Sequence, residues 1–207
     1  MTTTTLPVAV YPAHLLGVPN RITLVRTVVS MLVATFAFAS GDLWLLVIGY
    51  VVYWFGDSLD GWVARIRNEE TVSGAVFDIV CDRACSFLLA AAFMTTYPET
   101  IGPLAIYLIQ FGVLDTMLTL SFLLWKETLS PNYFYKVDQP IYVWNWSKPA
   151  KAVNTGAVVV SLVVAHQLDL LWLPYVVAGA AVVVKVVSLV LLVDILSGRR
   201  PALPALP

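Results

Sequence analysis

Charge is what this sequence most conspicuously lacks. Asp, Glu, Lys and Arg make up 12% of its 207 residues, where a soluble domain usually carries about 25%. Cysteine is scarce as well, with Cys81 and Cys85 the only two. A bridge between residues one helical turn apart would close almost no loop, so a disulfide scaffold is excluded and both are expected to be reduced packing residues. No linker, low-complexity tract or internal repeat divides the chain, so one domain over 1–207 is expected. Met1 to Thr5 has neither the basic stretch nor the apolar run of a secretory signal, and insertion is expected to begin with the first span itself. The net charge of -1 gives no reason to expect a nucleic-acid partner.

What is present is apolar length. With 59% hydrophobic residues, the chain reads as an all-α, polytopic membrane protein. Six transmembrane helices are predicted: Ile22 to Ser40, Leu43 to Arg65, Gly74 to Thr96, Ile101 to Trp125, Lys148 to His166, and Leu170 to Leu196. Each is close to the ~20 residues that cross the hydrocarbon core. Gly, Pro and charged residues mark the breaks, as at Ser40-Gly41-Asp42 and Tyr97-Pro98-Glu99. Residues 1–19 are expected to form an N-terminal interfacial segment, with a short helix from Tyr11 to Gly17; 20–197 form the core and 198–207 a C-terminal tail. Lys126 to Trp146, rich in Tyr and Trp, reads as a structured loop at the membrane surface.

Lys and Arg set the orientation. Arg21, Arg65, Arg67, Lys126, Lys136, Lys148, Lys151, Arg199 and Arg200 all fall on one side, which is therefore cytoplasmic. The connections around Gly41, Glu99 and Gln167 contain neither residue. Both termini are then cytoplasmic. His14 and His166 fall on opposite sides, so they share no site.

Four aspartates inside the apolar segments demand an explanation, because charge in lipid is costly. Asp57 and Asp60 are spaced i,i+3 near the end of the second span; Asp78 and Asp82 are i,i+4 near the start of the third. Each pair shares one helix face, and the short connection makes the helices antiparallel neighbours. All four carboxylates can meet in a cytoplasmic-side polar cavity, about two turns below the surface. Their mutual repulsion at low dielectric calls for divalent cations, and hard oxygen ligands suit Mg²⁺ or Mn²⁺. Structural pairing with Arg65, Arg67 and Arg83 is the plainer alternative, although Gly61, Ala64 and Gly74 open space that such pairs do not need. A divalent-cation transporter is disfavoured because Leu45 to Val51 and Phe87 to Ala92 leave no polar path to the far side.

The pattern Asp57-x2-Asp60-Gly61-x2-Ala64-Arg65-x8-Gly74-x3-Asp78-x3-Asp82 resembles the signature of the CDP-alcohol phosphotransferase (CDP-alcohol phosphatidyltransferase) family at every position. Upstream, Pro19-Asn20-Arg-Ile-Thr23-Leu-Val-Arg26 looks like the segment that opens the family's first span. The resemblance implies an enzyme that displaces CMP from CDP-diacylglycerol with an acceptor hydroxyl. It implies that Asp57, Asp60, Asp78 and Asp82 hold two divalent ions and that Asp82 is also the general base, hence the most loosely coordinated of the four. By the same resemblance Asn20, Thr23, Gly61, Arg65 and Thr71 contact CDP-diacylglycerol, and the enzyme is a homodimer in the cell membrane.

For the acceptor, Lys148 and Lys151 lie one turn apart and could clamp a phosphate; as plain topology anchors they would look the same. The segment around them resembles the corresponding span opening in phosphatidylglycerophosphate synthases and the CDP-alcohol type of cardiolipin synthase. That implies glycerol 3-phosphate or phosphatidylglycerol as acceptor. Many glycerol-phosphate-using relatives carry Arg before the acidic residue of the fourth span, where this chain has Leu114-Asp115. Inositol phosphate or another polyol therefore stays open. Asp115 either faces the cavity or meets Lys185, and Arg199 and Arg200 are expected at the cavity mouth or on anionic lipid.

Overall fold

In the computed structural model, the described residues are 17–205, and they are helical with no strand among them. The interfacial helix expected over 11–17 and His14 lie outside them, apart from Gly17. Among the described residues there are six long helices: α1 (Val18–Ser40), α2 (Leu43–Arg67), α3 (Val72–Thr96), α4 (Pro98–Leu124), α6 (Lys148–Leu168) and α7 (Leu173–Leu196). A short α5 spans Gln139–Asn145. α1, α2, α4 and α7 are long and apolar enough to cross a membrane, as expected of a polytopic membrane protein. The chain forms two compact units, Met1–Ala92 and Phe93–Pro207.

In the first unit α1 is largely polar or small-residued on its buried side and apolar on its exposed side. On α1 the buried residues include Asn20, Thr23, Arg26, Thr27, Ser30, Ala34 and Ala37, while Leu24, Val25, Leu32 and Phe36 are exposed. That inversion suits a lipid solvent, in which small residues let helices approach and polar groups bond across them. Ser30 Oγ donates to the Gly49 carbonyl of α2 at 2.9 Å. A Cβ on Gly49 would sit 3.1 Å from Leu89 of α3 and 3.6 Å from the Ala34 backbone, so the helices cross closely there.

Caps define the connections. α1 starts four residues before the predicted Ile22, since Pro19 occupies the first turn, where its missing N–H costs nothing. Gly41, with φ +67, ends α1 in the left-handed region. Asp42 then caps α2, accepting from the N–H groups of Trp44 at 2.7 Å and Leu45 at 3.3 Å. α2 runs to Arg67, where Asn68 takes φ 53. Thr71 Oγ1 accepts from Gly74 N at 3.0 Å and starts α3 two residues ahead of Gly74. Cys81 and Cys85 are buried and unbridged, as expected.

The second unit satisfies its buried charge internally. α4 contains a π-helical turn at Gln110–Asp115, and Asp115 meets Lys185 of α7 at 2.7 Å. Lys185 also donates to Asn145 Oδ1 of α5 at 2.7 Å, and Asn145 donates to Ser188 Oγ at 2.8 Å. The predicted surface loop is structured: Phe134, fully buried in the 3₁₀ turn Pro131–Lys136, packs on Trp125 and Trp146 with ring centroids 5.3 and 4.9 Å apart. Of the C-terminal arginines, Arg199 stays exposed and pairs with Asp194 at 2.7 Å, whereas Arg200 is drawn inward to the fully buried Asp138 at 3.0 Å. The tail continues along this loop, Leu203 accepting from Gln139 N and Ala205 N donating to Tyr135, both at 2.8 Å.

Breaking a buried pair leaves one charge without compensation, a loss of roughly 3 kcal/mol or more. Lys185→Met should therefore lower the thermal unfolding midpoint in detergent sharply, and Asp115→Leu with Lys185→Met should recover most of the loss. A double variant no more stable than Lys185→Met would show that the pair is not the source.

Candidate active site

Three helices of the first unit deliver the site. α2 presents Asp57 and Asp60, α3 presents Asp78 and Asp82, and α1 sends Arg26 between them. The Arg26 Nε donates to Asp60 Oδ2 at 2.8 Å. Its Nη2 reaches Asp78 at 2.5 Å, Asp82 at 2.9 Å and Asp57 at 3.4 Å. The cation at the centre of the cluster therefore comes from α1, outside the two aspartate-bearing helices. Pairing with Arg65, Arg67 or Arg83 was the expected structural alternative; the cation bonded to all four aspartates is Arg26, and Arg67 pairs with Glu69 at 2.8 Å.

The four carboxylates differ in depth. The Asp60 side chain is 4% exposed and also accepts from Thr23 Oγ1 at 2.6 Å, so it is anchored. Asp57 and Asp78 are open, at 38% and 36%, with Asp82 intermediate at 21%. One oxygen each from Asp57, Asp60 and Asp78 lies within 4.8 Å of the others. Such a converging trio of hard oxygen donors fits a divalent cation. Asp82 is not part of that trio, and its Oδ1 accepts from Arg26 Nη2.

Glycines make room for this assembly. A Cβ on Gly56 would lie 2.5 Å from Arg26 Cβ and 2.6 Å from its Cδ, so α2 needs Gly56 for the arginine to pass. Arg26 also lies over the Tyr53 ring, 5.6 Å from its centroid. A Cβ on Gly74 would lie 2.9 Å from Thr71 Oγ1 and 3.0 Å from Asn20 Oδ1, which brings those two polar groups together at the start of α3. The space beside Gly61 is bounded by its own helix, the Arg65 guanidinium lying 3.3 Å from where a Cβ would be.

The first unit therefore gathers the four aspartates and Thr23, and beside them Asn20 with Thr71 and Gly61 with Arg65. The acceptor candidates belong to the second unit. There Lys148 is exposed, Lys151 Nζ bonds Asn132 Oδ1, and Asp115 is engaged by Lys185. In the sequence Arg26 reads only as the last residue of the opening motif, although an arginine one turn inside an apolar span is as costly as the aspartates.

Residues 16–192 match the family model for CDP-alcohol phosphatidyltransferase. No curated protein and no solved structure matches the chain. With most of its length covered, the chain belongs to the CDP-alcohol phosphatidyltransferase family and is an enzyme transferring substituted phosphate groups. Within its site, Gly56→Ala forces Cβ into Arg26 and should cost about 1–3 kcal/mol by overpacking, read as a lower unfolding midpoint. Gly61→Ala meets only the flexible end of Arg65 and should leave the midpoint nearly unchanged. Equal destabilisation by the two would remove the case for a special approach at Gly56.

Proposed function

We propose that this CDP-alcohol phosphatidyltransferase moves the phosphatidyl group of CDP-diacylglycerol to a hydroxyl of a glycerol-based acceptor, glycerol 3-phosphate or phosphatidylglycerol, with release of CMP. The family carries the coarser reaction, from a CDP-alcohol to an alcohol. The observation that supports metal-assisted transfer is the convergence of Asp57, Asp60, Asp78 and Asp82 on one point, and the acceptor reading rests on Lys148 and Lys151. In the reaction the acceptor oxygen forms a bond to the phosphatidyl phosphorus, the bond from that phosphorus to the CMP oxygen breaks, and the hydroxyl proton passes to a base.

Asp82 takes that proton. It lies outside the converging trio, and a carboxylate less engaged by cations keeps more of its basicity. Asp57, Asp60 and Asp78, with Asp82, would hold two Mg²⁺ or Mn²⁺ ions, which when bound neutralise the pyrophosphate and stabilise departing CMP. Thr23 and Asp60 form the rigid floor, since their 2.6 Å bond is buried. Asn20 and Thr71 offer amide and hydroxyl contacts to the nucleotide; Gly61 admits it against the backbone, and Arg65 donates to its phosphate or base. In this reading Lys148 and Lys151 bind the acceptor phosphate, and Asp115 is the third acceptor-binding residue.

The whole chain, 1–207, then acts as one catalytic domain of six spans in the cell membrane. Both termini and a polar cavity holding the site face the cytoplasm, on the side where Lys and Arg collect. A homodimer completes the proposal. The donor's acyl chains stay in lipid while its headgroup enters among polar side chains, which is the reason to carry out this chemistry in a membrane.

Purified protein, CDP-diacylglycerol and a panel of acceptor alcohols, with products identified by mass, test the acceptor directly. Lipid product with glycerol 3-phosphate or phosphatidylglycerol is expected; product with inositol phosphate or another polyol alone would replace that assignment. Asp82→Asn should reduce CMP release by at least about 100-fold while the protein stays folded, and full turnover would remove Asp82 from the role of base. EDTA should abolish turnover and Mg²⁺ or Mn²⁺ restore it. Turnover indifferent to chelation would refute the divalent-ion reading.

A further inference from the structure

The hydrogen bonding of Arg26 does not balance. Nη2 has two protons, yet three carboxylates crowd around it: Asp57, Asp78 and Asp82. Nη1 has two more and, among the described residues, no partner, although it is buried. A pocket shaped for a guanidinium would use its five N–H groups more evenly, commonly by forked pairing. The single positive charge of Arg26 is divided among four carboxylates. Only the Nε bond to Asp60 joins two deeply buried partners in a good geometry.

We infer that Arg26 is an exchangeable counter-ion of the aspartate cluster: it neutralises and positions the carboxylates before divalent ions bind, then yields Asp57, Asp78 and Asp82 while staying tethered to Asp60. The inference rests on the divalent-ion reading of these aspartates. Arg26 is thus a positioning residue that competes with the ions. The space left by Gly56 is what admits its side chain, and the Tyr53 ring supports the guanidinium from one side. A purely structural arginine makes the opposite prediction, since its removal would disorder the carboxylates and weaken the binding of cations.

Binding of Mn²⁺ to the purified full chain in detergent, titrated by electron paramagnetic resonance, separates the two. Arg26→Met removes a like charge a few ångströms from the ions and should tighten Mn²⁺ binding by about tenfold or more. In EDTA its unfolding midpoint should fall, and Mn²⁺ should raise that midpoint by more than it does in the wild type. Arg26→Lys keeps the charge but cannot fork between carboxylates; it should fold and bind Mn²⁺ with intermediate affinity, which keeps the test decisive if Arg26→Met does not fold. Weaker or unchanged Mn²⁺ binding in the folded variants overturns the exchange. A wild type that binds no Mn²⁺ overturns it together with the divalent-ion reading, whereas a wild type that binds Mn²⁺ beside variants that bind no better overturns the exchange alone.

Discussion

Repulsion among four carboxylates is the constraint around which the N-terminal unit is organised. Two unit charges 4 Å apart interact by about 4 kcal/mol even at an effective dielectric of 20, so Asp57, Asp60, Asp78 and Asp82 cannot share a small volume unless positive charge enters it. Arg26 supplies that charge from α1. Other features follow from the need to bring it in. Gly56 clears its path, Thr23 fixes the carboxylate it is tethered to, and the small residues Ser30, Ala34 and Gly49 hold α1 against α2. The polar interior of α1 therefore answers the charge of the cluster, and its apolar exterior the solvent.

The C-terminal unit follows the same rule with different means. Lys185 is matched by Asp115 and Asn145, and Asp138 by Arg200 and two backbone N–H groups, from Ile141 and Leu203. These are local settlements of buried charge, each closed by elements of that unit. The π-helical turn at Gln110–Asp115 belongs to this pattern, because the altered winding coincides with the residue that must reach Lys185. The aspartates of α2 and α3 differ from these, because all four of them bond one and the same guanidinium, that of Arg26.

Much of this was legible in the sequence, for identifiable reasons. Spacing i,i+3 and i,i+4 fixes which faces Asp57, Asp60, Asp78 and Asp82 share, and Gly41-Asp42 is a local stop and start. The helical class and the family follow from such short-range regularities. The Asp115 to Lys185 contact was one of two stated alternatives. What stayed hidden is non-local. Arg26 was read as one letter of an opening motif, and only three-dimensional proximity reveals four partners from 31 to 56 residues away. Arg200 looked like a surface cation because its partner, Asp138, lies in a loop whose burial depends on Phe134 and on the returning tail.

The sharing of one cation among α1, α2 and α3 also bears on how the chain enters its membrane. α1 and α2 are each apolar enough to insert, yet each carries charge whose partner lies on another helix. Threaded singly, Arg26 alone would cost about 2.5–3.5 kcal/mol at a helix centre, and each aspartate a comparable amount. Threaded as a group, the charges compensate one another before meeting lipid. Two tight connections, at Gly41-Asp42 and at 68–71, keep the three helices close in synthesis order. Compensation among α1, α2 and α3 therefore lowers the cost of placing these charges in a bilayer, provided the three helices enter it together.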